Sequence, residues 1–134
     1  MMSDTLRQEI LAANQKLLTA IVSGDWKTYA DLCDPTITCL EPEAKGHVVE
    51  GMPFHKFYFD LPAASPKPAV GTTVSMSNPH VRLMGDVAVL AYIRLNQKLN
   101  AAGEPVTVPV EETRVWQRQA GSWKHVHFHR SLPS

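Results

Sequence analysis

The chain has 134 residues, which is the size of one domain with a substantial hydrophobic core, so we expect a single domain over 1–134. Its 13 basic and 13 acidic residues cancel, and this balance gives no general electrostatic reason to expect a nucleic acid or an anionic membrane as partner. Cys33 and Cys39 are the only cysteines, they lack the spacing of metal ligands, and no secretory signal or long apolar run precedes them. We therefore expect two reduced core thiols in a cytoplasmic protein, with a disulfide as the less favoured alternative.

The first third of the chain has helical periodicity. Apolar residues recur at steps of three and four over 3–22, which predicts an amphipathic helix of about five turns. Asp25 is suited to cap a second helix over 26–32, which the Asp34-Pro35 pair ends. A short β-prone segment at 36–40 follows, with 46–49 as its expected pairing partner.

A third helix is predicted over 53–60, where Pro53 occupies a first-turn position that needs no amide proton. Its sequence is aromatic on nearly every side, so we expect it to be buried or to lie against another subunit. His55 on this helix is a candidate general base, and the competing interpretation is a hydrogen-bonded core histidine. The segment 61–71 contains three of the ten prolines and is predicted to be a loop, in the position of a flexible flap.

From residue 72 onward the periodicity is two. The pattern predicts four consecutive strands with short connections, at 72–84, 87–99, 106–118 and 122–132. Helices first and strands last indicate an α+β domain in which a strongly curved antiparallel sheet wraps the helices, forming a cone with an internal pocket. Both faces of the 87–99 strand are apolar, so both should be covered.

Arginines stand inside this apolar strand pattern, and a buried guanidinium needs an anion. Whether Arg114 and Arg130 face the same side depends on the turn after residue 118. A two-residue turn at Ala120-Gly121 places Arg114 with the histidines, whereas a three-residue turn with a bulge at Gly121 places it with Arg130 and Arg94. We favour the bulged turn, which surrounds these arginines with the aromatic side chains of Tyr92, Trp116 and Phe128.

Such a pocket has apolar walls and a cationic floor, which suits a small carboxylate held by bidentate hydrogen bonds. The alternative is that Glu111, Glu112 and Glu50 neutralise the arginines internally. His125, His127 and His129 alternate on one predicted face, roughly 7 Å apart, which is too wide for all three to bind one zinc ion, so we expect no metal. Phosphate-binding loops, kinase motifs and a Gly-x-Ser-x-Gly elbow are absent from the sequence.

Several short motifs in order along 7–131 resemble a known family. They are Asp34-Pro35, Glu41-Pro42-Glu43-Ala44, Val49-Glu50-Gly51, Phe54-His55-Lys56-Phe57-Tyr58-Phe59, Asn78-Pro79-His80, Leu83-Met84-Gly85-Asp86, Ala91-Tyr92-Ile93-Arg94, Glu111-Glu112-Thr113-Arg114-Val115-Trp116 and His127-Phe128-His129-Arg130-Ser131. Together they resemble the association (hub) domain of calcium/calmodulin-dependent protein kinase II.

The resemblance implies the cone-shaped fold of the nuclear transport factor 2 superfamily and self-assembly into two-layered rings of typically twelve or fourteen subunits. It also implies an internal pocket for small carboxylates or an acidic peptide, lined by Arg94, Arg114, Arg130 and His55. Kinase hubs carry a tryptophan in the loop after the aromatic helix, and 61–70 has none. The sequence contains no kinase or regulatory segment, so the resemblance implies neither kinase activity nor calmodulin binding.

Two functions therefore compete. One is a self-associating module with a carboxylate pocket and no cofactor. The other is a small-molecule isomerase, cyclase or dehydratase of the same superfamily, with His55, or Glu112 if it faces the cavity, as the base.

Overall fold

The computed structural model describes residues 2–61 and 72–133. Three helices precede most of the sheet: α1 (Met2–Ser23), α2 (Trp26–Leu32) and α3 (Pro53–Asp60), with a short 3-10 helix at Pro42–Ala44. The Asp25 side chain caps α2 by accepting a hydrogen bond from the Thr28 backbone amide, as the sequence predicts. The predicted bounds of α3 are those of the structure, whereas the predicted loop at 61–71 lies almost wholly outside the described residues.

Six strands form one curved sheet. They are β1 (Cys33–Leu40), β2 (Val49–Glu50), β3 (Thr73–Met84), β4 (Val87–Leu99), β5 (Pro105–Gln119) and β6 (Ser122–Ser131), in the spatial order β2-β1-β6-β5-β4-β3. The last four strands form the predicted antiparallel meander. The sheet as a whole is mixed, because β1 runs parallel to β6 and thereby joins the N-terminal segment to the meander.

The helices pack on the inner face of this sheet, which confirms the predicted α+β class. Buried side chains of α1, among them Ile10, Leu17 and Leu18, belong to the same apolar core as Leu90 and Trp116 of the sheet. A buried polar contact fixes their relative position, because the Trp116 indole N–H donates to Asn14 Oδ1 over 3.0 Å. Neither side chain is exposed to solvent.

The helix α1 also contacts the edge strand β3. The Arg7 guanidinium donates to the Val81 carbonyl, and the Gln15 amide donates to the Val74 carbonyl. These bonds use backbone acceptors that an edge strand would otherwise leave unpaired. None of the described helices is both long and apolar enough to span a membrane.

The turn between β5 and β6 differs from the preferred prediction. It is a two-residue turn, with Gln119 paired to Ser122 and with positive φ at both Ala120 (50°) and Gly121 (85°), so the predicted three-residue turn is wrong. The bulge lies elsewhere: Trp116 pairs with His125 and Val115 pairs with His127, which leaves Val126 as the extra residue.

This bulge decides which side chains face inward. His125 lies on the inner face with Trp116, whereas after Val126 the inward positions are Phe128 and Arg130. The predicted grouping of His125, His127 and His129 on one face is therefore wrong, because an extra residue reverses the alternation. Arg114 and Arg130 do face the same side, for a different reason from the predicted one.

Candidate functional site

Glu112 is the carboxylate around which the inward-facing arginines gather. Its side chain is fully buried, and it accepts hydrogen bonds from Arg94 Nη1 at 3.2 Å, from Arg114 Nε at 3.1 Å and from the Tyr92 hydroxyl. Burial alone would raise the pKa of Glu112, but Arg114 and Arg94 outweigh it and lower that pKa to about 2. Glu112 is therefore ionised, and its carboxylate is occupied by hydrogen bonds from Arg94, Arg114 and Tyr92.

Arg114 is enclosed on all sides, with 1% of its surface exposed. Its guanidinium lies 4.4 Å from the ring centre of Phe128, and its Nη1 donates to His125 Nε2 over 3.4 Å. Burial lowers the pKa of His125 well below its usual value, and the Arg114 charge lowers it further, so that ring is neutral. A neutral ring can accept this hydrogen bond, which an imidazolium could not.

Arg130 is held more loosely than the other two arginines. Its Nη1 donates to Glu41 Oε2 at 3.2 Å and to Glu43 Oε1 at 2.9 Å, and both acids belong to the connection after β1. Its Nε lies 3.5 Å from Glu112 Oε2 and, although buried, makes no hydrogen bond within the described part of the chain. The Arg130 side chain is 18% exposed, which leaves it accessible from the cavity.

These groups surround an internal cavity of about 200 Å³. Its charged and polar lining comes from six side chains, Glu41, Glu43, His55, Arg94, Arg114 and Arg130, and aromatic rings of α2, α3 and β6 form the remaining walls. A cavity of this kind can take a small organic molecule.

His55 lies in the aromatic wall with both ring nitrogens engaged. Its Nδ1 is 2.7 Å from the Tyr29 hydroxyl, and its Nε2 is 3.9 Å from Cys39 Sγ. Burial, and secondly the Arg114 charge, lower the pKa of His55 to about 4. This is the hydrogen-bonded core histidine of the second interpretation, and it is neutral at physiological pH.

The predicted site residues fall into two groups. Arg94, Arg114, Arg130, His55 and Phe128 line the cavity, as the sequence predicts. Tyr92 and Trp116 are not among the residues that line the described cavity, although the Tyr92 hydroxyl accepts a hydrogen bond from Arg114 Nε at 3.0 Å. Tyr92 lies behind Glu112 as its hydrogen-bond donor, and Trp116 is fully buried against Asn14 and His125.

The anions that neutralise the arginines are only partly those predicted. Glu112 has the predicted role, whereas Glu111 accepts a hydrogen bond from Ser131 and Glu50 is exposed. Glu41 and Glu43 were missed, because 87 residues or more separate them from Arg130 along the chain. The Glu-Pro-Glu-Ala run at 41–44 was the available signal, because it places two acidic side chains directly after a strand.

The two cysteines and the possible metal ligands also bear on what chemistry the domain can perform. Cys33 and Cys39 are both free and buried, and burial raises the pKa of each thiol to about 12, so neither is a reactive thiolate. Within residues 2–61 and 72–133, no three histidine, cysteine or acidic side chains are grouped so as to hold a metal ion.

Helices packed on a curved six-stranded sheet, with a polar cavity between them, define an α+β cone of the nuclear transport factor 2 type. A nuclear transport factor 2 superfamily protein from Salmonella enterica has this fold, with a TM-score of 0.77 over 98% of this chain and 94% of that one at 19% identity. At that identity the likeness concerns the fold alone.

More specific similarities identify the family. The model of the calcium/calmodulin-dependent protein kinase II association domain matches residues 6–134, so the chain belongs to that family. The delta subunit of this kinase from Oryctolagus cuniculus is 48% identical over 126 residues, which is 93% of this chain and 23% of the relative's length. The chain thus spans about a quarter of that relative.

Solved structures agree with this assignment. The hub homology domain from Chlamydomonas reinhardtii is 53% identical with a TM-score of 0.87, covering 96% of this chain and 99% of that one. The association domain of the Caenorhabditis elegans kinase is 42% identical with a TM-score of 0.88, covering 96% and 97%. Both similarities extend over nearly the whole domain, which confirms the resemblance drawn from the sequence motifs.

Proposed function

We propose that this domain is a self-association module whose cavity binds a small carboxylate. The observation that carries self-association is the outer face of the sheet. Along β4 the outward side chains are the apolar residues Val87, Val89, Ala91, Ile93 and Leu95, and each retains some exposure to solvent. An apolar face that the domain's own helices leave uncovered is typical of a subunit interface.

Light scattering after size-exclusion chromatography tests this part. We expect a particle mass that is a multiple of 14.9 kDa, and the family resemblance favours a ring of twelve or fourteen subunits. A single species at the monomer mass over a wide range of protein concentrations would contradict the proposal.

Ligand binding is supported by the state of Arg130. Arg94 and Arg114 donate hydrogen bonds to the buried Glu112, whereas Arg130 donates only to the partly exposed Glu41 and Glu43. Its buried Nε lies 3.5 Å from Glu112 and makes no hydrogen bond within the described part of the chain. A ligand carboxylate beside it would supply the missing acceptor through a charge-assisted hydrogen bond. The neighbouring rings of Tyr58, Phe59 and Phe128 would cover the apolar part of the ligand.

Calorimetry with benzoate and its neutral isostere benzamide tests the pocket. Benzoate should bind and benzamide should not, because only benzoate carries the charge that Arg130 recognises. Arg130→Gln should weaken benzoate binding by about tenfold or more, as for loss of one charge-assisted bond. Arg118→Gln is the matched control, since Arg118 pairs with Asp86 at the surface. Equal affinity in the two variants would remove Arg130 from the site.

The enzyme alternative finds less support in the geometry. A general base is most effective with a pKa near the working pH, whereas the pKa of His55 is about 4 and that of Glu112 about 2. Both side chains are also occupied by hydrogen bonds within the domain. We therefore assign neither of these two predicted bases to proton transfer, and we assign the cavity to ligand binding.

A further inference from the structure

Two of the chain's own carboxylates occupy the anion position beside Arg130. Glu41 and Glu43 both accept from the same Nη1, at 3.2 and 2.9 Å. The Glu41 side chain is 11% exposed and the Glu43 side chain 38%, so Glu41 lies deeper in the cavity. Glu41 and Glu43 therefore occupy the position beside Arg130 that the carboxylate of a bound ligand would take.

Burial disfavours the ionised form of Glu41. Burial raises its pKa, Arg130 acts in the opposite direction, and the adjacent Glu43 raises it again. The other titratable or charged groups that act on it or face it across the cavity are Tyr29 of α2, Cys39 of β1, His55 and Tyr58 of α3, Arg94 of β4 and Arg114 of β5. A proton therefore costs less on Glu41 than on an ordinary surface glutamate.

The charges around the cavity are balanced without any ligand. The three guanidiniums of Arg94, Arg114 and Arg130 face the three carboxylates of Glu41, Glu43 and Glu112. One additional carboxylate in this buried space would leave one negative charge in excess, which a low-dielectric site disfavours. Uptake of one proton by a cavity carboxylate restores the balance.

We propose that Glu41 is an internal competitor for Arg130, and that a monocarboxylate binds by taking its place while Glu41 takes up a proton from solvent. This inference rests on the carboxylate pocket proposed above and names the residue that sets its affinity and pH dependence. Glu112 cannot have this role, because Arg94, Arg114 and Tyr92 all hold its ionised form. Glu43 contributes less, because it is the more exposed acid.

Benzoate calorimetry on the full chain, in buffers of low and high ionisation enthalpy at the same pH, counts the protons taken up on binding. We expect a net uptake at pH values at which free Glu41 is ionised, and binding that tightens as the pH falls. Glu41→Gln should bind benzoate roughly tenfold more tightly at pH 7, because the competing charge is gone, and should lose most of the proton uptake. Glu50→Gln, at an exposed acid outside the cavity, should match the wild type.

The outcomes separate this inference from the pocket itself. If benzoate binds none of the proteins, the carboxylate pocket fails and the role of Glu41 fails with it. If benzoate binds through Arg130 but Glu41→Gln changes neither affinity nor proton uptake, the pocket stands and the role of Glu41 is overturned. Uptake that persists unchanged in Glu41→Gln assigns the proton to another group, such as His55. Should Glu41→Gln fail to fold, zero proton uptake by the wild type is the overturning result.

Discussion

At the scale of single residues, the buried ionic cluster decides both the stability and the chemistry of the cavity. Glu112 neutralises Arg94 and Arg114 in a space that holds almost no solvent. Glu112→Gln would leave these two buried guanidiniums without their shared anion, which we expect to cost about 3–5 kcal/mol of unfolding free energy. Urea denaturation measures this loss.

The control for this prediction is the neighbouring acid. Glu111→Gln changes the same side chain one position away, on the outer face, where Glu111 only accepts a hydrogen bond from Ser131 and remains exposed. We expect a change within about 0.5 kcal/mol. Similar losses in the two variants would show that the buried cluster has no special role in stability.

Two buried histidines predict the behaviour of the domain in mild acid. The folded-state pKa of His55 is about 4, against 6.5 for an unperturbed histidine, and burial also holds the pKa of His125 far below that value. Folding therefore favours the neutral rings. Their contribution to stability is complete above pH 6.5 and declines as the pH falls toward 4, by about 3 kcal/mol for His55 alone.

Urea midpoints measured across this pH range test the effect. His55→Gln should flatten the decline, whereas His47→Gln, at an exposed position, should leave it unchanged. Glu112 adds a second loss at lower pH, because its ionised form is stabilised in the fold and becomes protonated between pH 4.5 and about 2. Glu41 acts with the opposite sign, since its pKa is raised on folding. Identical slopes in the wild type and His55→Gln would refute the assignment to His55.

At the scale of elements, the helices and strands that could be predicted from the sequence are those that short sequence patterns determine. The bounds of α3 follow from a first-turn proline and those of β4 from the turn residues on either side, Gly85-Asp86 and Asn100, and both agree with the structure. The bulge at Val126 has no comparable signal, because no glycine marks it and its position depends on how Trp116 and His125 stack in the core. The parallel pairing of β1 with β6 is likewise a long-range contact that periodicity does not encode.

The same distinction applies to the site. Alternation within β4 and β5 brings Arg94 and Arg114 to one face, but Arg130 joins them only because the bulge at Val126 reverses the alternation of β6. The sequence therefore predicts the three residues correctly, but from a turn that the structure does not have. Their acidic partners Glu41 and Glu43 come from a distant connection, and only the folded chain brings them to Arg130. Tyr92 and Trp116 share the predicted face but bond to Glu112 and Asn14, respectively, and do not line the described cavity, a distinction that the alternation pattern cannot make.

The β5–β6 turn gives a prediction at this scale. Ala120 has φ of 50°, a left-handed conformation that alanine adopts at a cost and asparagine tolerates better. Ala120→Asn creates the Asn-Gly pair preferred in two-residue turns, and it should stabilise the domain by about 0.5–1 kcal/mol in thermal denaturation. Ala101→Asn, in the exposed β4–β5 turn without a positive φ, should give no gain. Equal effects of the two substitutions would contradict the strain argument.

At the scale of the whole molecule, residues 2–61 and 72–133 present two exposed apolar surfaces. The apolar outer face of β4 is one of them, and α3 provides the other, because this helix is aromatic on nearly every side. His55 is buried in the cavity wall, yet Phe57 on the opposite side of the helix is 58% exposed and contacts the ring of Tyr58. A second copy of the chain would bury such a surface at a favourable free energy of about 25 cal/mol per Å².

The last prediction concerns this exposed aromatic residue. If the chain self-associates through α3, Phe57→Asp places a charge in the interface and should shift the particle to a smaller mass in light scattering, with unchanged thermal stability of the released subunits. Val108→Asp is the control, because Val108 is also an exposed apolar residue, at 37%, but lies on β5 far along the chain from α3. A particle of wild-type mass in Phe57→Asp would exclude α3 from the interface, and association would then have to depend on the outer face of the sheet.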